Sequence, residues 1–148
     1  MKLTYQDLLE KMTNMEMLAI PPEKGEMGGN FSSYDRNSSY DPSTDTYSQW
    51  GANRDCDGYI RMEKDRLVAF EMEGPGVIWR IWSANPQEGH IRIYTENEQK
   101  EKMDMPFRKL FERYAYDESR VEWPANFPEL MPILSRGRNR FIPIPFNH

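Results

Sequence analysis

The polar segment of residues 32–58 carries the side chains that are best suited to contact a ligand. Carboxylates, guanidinium groups, amides and an indole occur together there, and the candidates are Asp35, Arg36, Trp50, Asn53 and Asp55. Carboxylates and amides hydrogen-bond to vicinal hydroxyls, and Arg presents a planar pair of donors. An indole covers the apolar face of a ring. This combination favours a sugar as the ligand.

A strand-like segment at residues 74–82, Gly-Pro-Gly-Val-Ile-Trp-Arg-Ile-Trp, adds Trp79 and Arg80 to the candidate site residues. From residue 77 to 83 both alternating faces are apolar apart from Arg80, which predicts a central strand covered on both sides. A buried guanidinium needs a partner. The sequence leaves two interpretations of Arg80 open: a buried ion pair with an acidic residue of the same chain, or a contact to a ligand or an interface.

Known metal and cofactor motifs do not fit this sequence. Residues 53–58 resemble the opening of a calcium-binding loop, but the twelfth position is Lys64 instead of the bidentate Glu. His90, His148 and the single Cys56 do not fill a zinc site at any known spacing. No Ser nucleophile elbow and no Gly-rich phosphate loop occurs in the sequence. We therefore expect neither a metal nor a cofactor.

Composition limits the class of protein and of partner. At 148 residues the chain is about one domain, and its aromatic content of 13% against 38% apolar residues favours β structure with large rings in the core. The net charge is -5, which argues against nucleic acid as a partner. No apolar run is long enough for a signal peptide or a membrane span, and one cysteine forms no intrachain disulfide. We expect a soluble, cytoplasmic protein whose partner is carbohydrate, with no membrane contact.

The first element that the sequence predicts is a helix near the N-terminus. Thr4 is a candidate N-cap with Asp7 three residues on, and apolar side chains follow at helical spacing: Tyr5, Leu8, Leu9 and Met12. The helix should end near residues 17–20, because two prolines follow at 21 and 22. From residue 25 to 49 the apolar residues show no regular spacing, which predicts a long loop. The tyrosines of this loop indicate that it packs on a surface.

Beyond Gly58 the apolar period changes to two. Candidate strands follow at 58–62, 67–72, 77–83, 90–95, 102–105 and 141–146, with the spacing of a sandwich or jelly roll. The sequence therefore predicts a mainly β protein, a partial jelly-roll-like β-sandwich preceded by one N-terminal helix. We expect residues 1–24 to form the helix and a Pro-rich arm. Residues 25–148 should form the incomplete jelly-roll domain, with the long loop at 25–57.

Several segments, taken in order, resemble the N-terminal half of the difructose-dianhydride synthase/hydrolase family of glycoside hydrolases, long catalogued as a domain of unknown function. They are Ser-Ser-Tyr-Asp-Arg at 32–36, Gly-x-Asn-x-Asp at 51–55, the segment at 74–82, Ile-Arg-Ile-Tyr at 91–94 and Met-Pro-Phe at 105–107. The resemblance implies a jelly-roll core, a second jelly roll further along, and trimers or hexamers. It also implies retaining cleavage of furanosides such as α-fructofuranosides or D-arabinofuranosides, with Asp35, Arg36, Asn53 and Asp55 near a furanose pocket.

The chain also departs from that family. A typical member is more than twice as long, and its two catalytic glutamates lie in the half that would follow His148. Retaining glycosidases need two carboxyl groups about 5 Å apart, and no acidic pair in this sequence stands out for that role. We expect a truncated gene product or a fragment that supplies substrate-pocket and oligomer contacts and is inactive alone. The alternatives are a noncatalytic carbohydrate-binding or oligomerisation β-sandwich module, and a purely structural jelly roll.

Overall fold

The computed structural model describes residues 3–51, 54, 58–86, 88–95, 101–111 and 139–147. An α-helix, α1, spans Tyr5–Thr13, and 3-10 helices span Met15–Ala19 and Phe107–Phe111. The strands in these ranges are β1 (Ser39–Asp41), β2 (Thr46–Ser48), β3 (Arg61–Glu63), β4 (Arg66–Val68), β5 (Gly76–Trp82), β6 (His90–Ile93), β7 (Met103–Pro106) and β8 (Asn139–Phe146). Within these ranges no helix has both the length and the apolar character needed to span a bilayer.

Every described strand pairs with its neighbour in the antiparallel direction. The pairs are β1–β2, β3–β4, β5–β8 and β6–β7. A mainly β protein with one N-terminal α-helix is thus confirmed. Two compact units are present, one formed by Pro21–Met72 and the other by Met1–Ile20 with Glu73–His148. The predicted division of the chain after residue 24 stays a prediction.

A capping box starts α1, as its sequence predicts. The Thr4 backbone nitrogen donates to the Asp7 carboxylate at 2.6 Å, and the Thr4 hydroxyl accepts from the Asp7 backbone nitrogen at 3.3 Å. These bonds satisfy donors that have no partner within the helix. The α-helical part ends earlier than expected, because Asn14 caps a 3-10 turn by accepting from the Glu16 backbone nitrogen at 3.0 Å. The two prolines follow that turn.

The hydrophobic core of the larger unit lies between β6, β7, β8 and the second 3-10 helix. Its fully buried side chains are aliphatic or thioether groups: Ile93, Met103, Leu110, Ile142 and Ile144. Aromatic rings such as Phe107, Phe111 and Phe141 flank this cluster and are partly buried. Within the described residues the centre of this core is aliphatic, and the rings that the sequence predicts for the core pack around it.

Strand β5 is covered over only part of its length. Ile78 lies opposite Ile144 of β8 and packs on the core, but Trp79, Arg80 and Trp82 are exposed. A register shift between Ile78 and Arg80 changes the pairing at the middle of the strand. The prediction of a strand covered on both faces is wrong for this second half.

The smaller unit contains two short hairpins, β1–β2 and β3–β4. The predicted loop at 25–57 includes β1 and β2, whose strand residues are all exposed. In the β3–β4 hairpin Met62 and Leu67 lie directly opposite each other, and both are exposed. Arg61 on the other face makes a bidentate pair with Glu71, at 2.6 and 2.9 Å.

Candidate functional site

Asp35 is buried and satisfied by the backbone of its own unit. Its side chain is 7% exposed, and its two oxygens accept from the backbone nitrogens of Asn37 at 3.0 Å and Arg54 at 3.1 Å. The Asn37 hydrogen bond, with that of Arg54 and the Arg54 charge, outweighs burial and lowers the pKa of the Asp35 carboxyl below its ordinary value. This carboxylate holds two chain segments together.

Arg36 makes a second connection between the same segments. Its Nη2 donates to the carbonyl oxygens of Ser32 at 3.1 Å and Gly58 at 3.2 Å, and its guanidinium lies 4.6 Å from the Tyr34 ring centroid. Gly58 packs so closely on Tyr34 that an added Cβ would overlap the Tyr34 carbonyl oxygen. A glycine is required there because the two backbones touch.

Three candidate residues of the polar segment remain: Trp50, Asn53 and Asp55. Trp50 is 81% exposed. Asn53 and Asp55 lie outside the described residues, so the predicted clustering of these side chains stays a prediction. Asp35, Arg36 and Trp50 belong to the smaller unit, whereas Trp79 and Arg80 belong to the larger one.

Arg80 is held by an amide and an aromatic ring. Its Nε donates to the Asn139 side-chain oxygen at 2.8 Å, and its guanidinium carbon lies 5.7 Å from the Phe141 ring centroid. The side chain is exposed. Of the two interpretations of Arg80, the buried ion pair is therefore wrong.

The register of β5 and β8 brings four side chains onto one face. Arg80 lies opposite Phe141, and Trp82 lies opposite Asn139. Since alternate residues of a strand share a face, Arg80, Trp82, Asn139 and Phe141 form one surface, the β5–β8 patch. The adjacent Trp79 lies at the register shift between Ile78 and Arg80, where the alternation of faces is interrupted. Trp82 is 57% exposed, and no described residue accepts a hydrogen bond from the terminal nitrogens of Arg80.

Sequence reasoning missed three members of this patch. Trp82 carried a usable signal, because it is two residues from Arg80 in the same strand. Asn139 and Phe141 carried none. Asn139 is 59 residues away from Arg80 along the chain, and only the pairing of β5 with β8 joins them.

A charged cluster also crosses the β6–β7 hairpin. Asp104 contacts His90 Nδ1 at 2.5 Å and accepts from Arg92 Nε at 3.1 Å. Burial raises the pKa of Asp104, but the hydrogen bonds from His90 and Arg92 together leave that pKa lowered. The described part of the chain contains no group of three or more His, Cys, Asp or Glu side chains that could hold a metal ion. This cluster joins the two strands.

Comparison with models of protein families shows to which family the chain belongs. Residues 24–148 match the model described as the GH172 first beta-sandwich domain. The chain belongs to the GH172 family of glycoside hydrolases. This membership confirms the resemblance found in the sequence. The matched domain is a β-sandwich, in agreement with the antiparallel strand pairs of this GH172 chain. Neither the curated proteins nor the solved structures give a significant match.

Proposed function

We propose that this GH172 domain binds the furanose of an α-fructofuranoside or D-arabinofuranoside substrate within a retaining glycoside hydrolase. The β5–β8 patch makes the contact. The observation that carries this proposal is the Arg80–Asn139 hydrogen bond of 2.8 Å beside the exposed Trp82. Carbohydrate, rather than nucleic acid or a membrane, is the partner in this proposal.

The geometry of Arg80 suits a neutral polyhydroxylated ligand. Asn139 holds Nε and Phe141 lies under the guanidinium, so the side chain is already oriented before a ligand arrives. Its terminal nitrogens form a planar pair of donors that matches two neighbouring hydroxyl oxygens. Because less rotamer freedom is lost on binding, more of the interaction energy contributes to affinity.

The indole of Trp82 supplies the complementary apolar contact. A sugar ring has one face lined by C–H groups, and an exposed indole buries that face while its N–H remains able to donate. Trp82 and Arg80 occupy alternate positions of one strand, so one ring lying over the patch can touch both.

The charge of Arg80 indicates where on the sugar it acts. Cleavage of a glycosidic bond passes through a transition state with positive charge near the anomeric carbon. A guanidinium at that carbon would oppose the reaction, so Arg80 binds ring hydroxyls away from it. The domain therefore forms a pocket wall, and the acid/base and nucleophilic carboxylates lie elsewhere in the enzyme. We expect no release of nitrophenol when this chain alone meets nitrophenyl α-fructofuranoside.

The test measures the affinity of the chain for methyl α-D-arabinofuranoside and methyl α-D-fructofuranoside by calorimetry. Arg80→Met should weaken binding by about 2 kcal/mol, roughly thirtyfold, because charge-assisted hydrogen bonds are lost. Arg80→Lys keeps the charge without the planar pair of donors and should fall in between. Arg108→Met, at an exposed arginine of the second 3-10 helix, is the matched control. Unchanged affinity in Arg80→Met rejects the proposal.

A second candidate is a noncatalytic oligomerisation module, favoured by the exposed apolar pair Met62–Leu67 on β3–β4. Exposed apolar surface of this kind marks contact sites on other chains. Homo-oligomers are part of both candidates, and sedimentation of Leu67→Glu against the wild type tests this contact. A cytoplasmic location is proposed on the single cysteine, which makes the fold independent of oxidation.

A further inference from the structure

The β1–β2 hairpin presents two tyrosine rings on one face. Tyr40 lies directly opposite Tyr47, so both side chains project from the same side of the hairpin. Their ring centroids are 4.9 Å apart and their planes are tilted by 45°. The rings are 47% and 61% exposed, which shows that they are not part of a core.

Hydrogen bonds within the turn hold the rings in place. The Tyr40 hydroxyl donates to Asp45 Oδ1 at 2.9 Å, and this bond raises the pKa of Tyr40. Asp41 Oδ1 accepts from the backbone nitrogen of Ser43 at 2.9 Å and from its hydroxyl at 2.6 Å. A hairpin that buries none of its strand residues is nonetheless fixed at its turn. The rings are thus organised before any partner binds.

The size of this surface indicates the kind of partner. Two half-exposed tyrosines offer on the order of 200 Å². A stable protein–protein interface needs roughly 800 Å² on each side. One or two sugar rings need far less, and the Asp45 carboxylate, which is suited to sugar hydroxyls, lies beside the tyrosines because it accepts from Tyr40. The tilt of 45° gives two ring faces at an angle, which suits successive units of a twisted oligosaccharide.

We propose that the Tyr40–Tyr47 pair is an accessory carbohydrate-binding surface whose ligand is a neutral oligosaccharide. Each tyrosine ring covers the apolar face of one sugar unit, and the Asp45 carboxylate accepts from a sugar hydroxyl. The inference rests on the proposed function only in the class of ligand, carbohydrate. It does not use the β5–β8 patch.

The experiment titrates the full chain with a tetrasaccharide of α-D-arabinofuranose units and with an inulin-derived tetrasaccharide, by calorimetry. Tyr47→Ala should weaken binding at least about fivefold, because it removes the more exposed ring. Tyr47→Phe keeps the ring and should stay within about twofold of the wild type. Tyr40→Phe keeps both rings but loses the bond to Asp45, so a smaller loss is expected. Circular dichroism shows that each variant retains its strands.

Trp82→Ala separates this inference from the proposed function. Loss of affinity in Tyr47→Ala but not in Trp82→Ala supports the tyrosine surface and rejects the β5–β8 patch. Loss in Trp82→Ala with full affinity in Tyr47→Ala overturns the inference and leaves the proposed function standing. The inference is also overturned if the wild-type chain binds neither tetrasaccharide, or if Tyr47→Ala changes the sedimentation of the chain and not its affinity for sugar.

Discussion

Side chains with the same chemistry have different uses in this protein, and their hydrogen bonds distinguish them. The sequence predicts Asp35 and Arg36 as ligand contacts, but both hydrogen-bond to backbone groups of the chain. The sequence also predicts Arg80, and its terminal nitrogens contact no described acceptor. Residue type predicts which side chains could bind a ligand. Whether their hydrogen-bonding groups are already used by the protein itself depends on the folded geometry. No sequence pattern reveals that the Arg54 backbone nitrogen reaches Asp35.

Replacement of Asp35 by Asn should destabilise the protein at neutral pH. The folded state holds the pKa of Asp35 below its ordinary value of 3.8, so the folded state binds the proton less readily than the unfolded state. The stabilisation is fully present above the unfolded pKa and is lost as pH falls through the lowered folded pKa. Urea unfolding at pH 7 and pH 3 should show the difference between wild type and Asp35→Asn shrinking at the lower pH. If the wild type and Asp35→Asn differ in free energy of unfolding by the same amount at both pH values, the carboxylate of Asp35 is not the source of this stabilisation.

Elements with local signals were predicted well, and those that depend on distant pairing were not. The capping box of Thr4 and Asp7 and the apolar runs of β5 and β6 involve only a few neighbouring positions, so the sequence reveals them. The β1–β2 hairpin was missed, because its strands are three residues long and rich in turn formers. The partner of β5 was equally hidden, since β8 lies some sixty residues away and irregularly paired.

The pairing of β5 with β8 makes Gly76 a position where a methyl group is costly. An added Cβ there would overlap the ring of Phe146, so Gly76→Ala should destabilise the protein by about 1–3 kcal/mol. Gly28→Ala is the control, because nothing lies within 4 Å of its added Cβ. Urea unfolding measures both. In a Phe146→Ala background the extra cost of Gly76→Ala should fall, and an unchanged cost would show that the ring is not the cause.

At the scale of the whole molecule, family membership and β-sandwich architecture followed from the order of short segments. No single segment was decisive, but their sequence along the chain matched the GH172 domain that residues 24–148 contain. The candidate site was predicted less completely. Trp79 and Arg80 lie in one compact unit, and the described candidates of the polar segment lie in the other. Asn139 is identified as a site residue only by the pairing of β5 with β8. Sheets place distant residues together, and that step needs the fold.

The indole N–H resonances of the wild-type chain test the central claim most directly. The sequence has four tryptophans, and Trp82 belongs to the β5–β8 patch, whereas Trp79 lies at the register shift and is not part of that patch. Titration with methyl α-D-fructofuranoside or methyl α-D-arabinofuranoside, followed by two-dimensional NMR, should shift the Trp82 indole progressively and leave Trp79 in place. Replacement of Trp82 by Phe assigns its signal. Movement of Trp79 with Trp82 unmoved, or no movement of either at saturating sugar, would contradict binding at the β5–β8 patch.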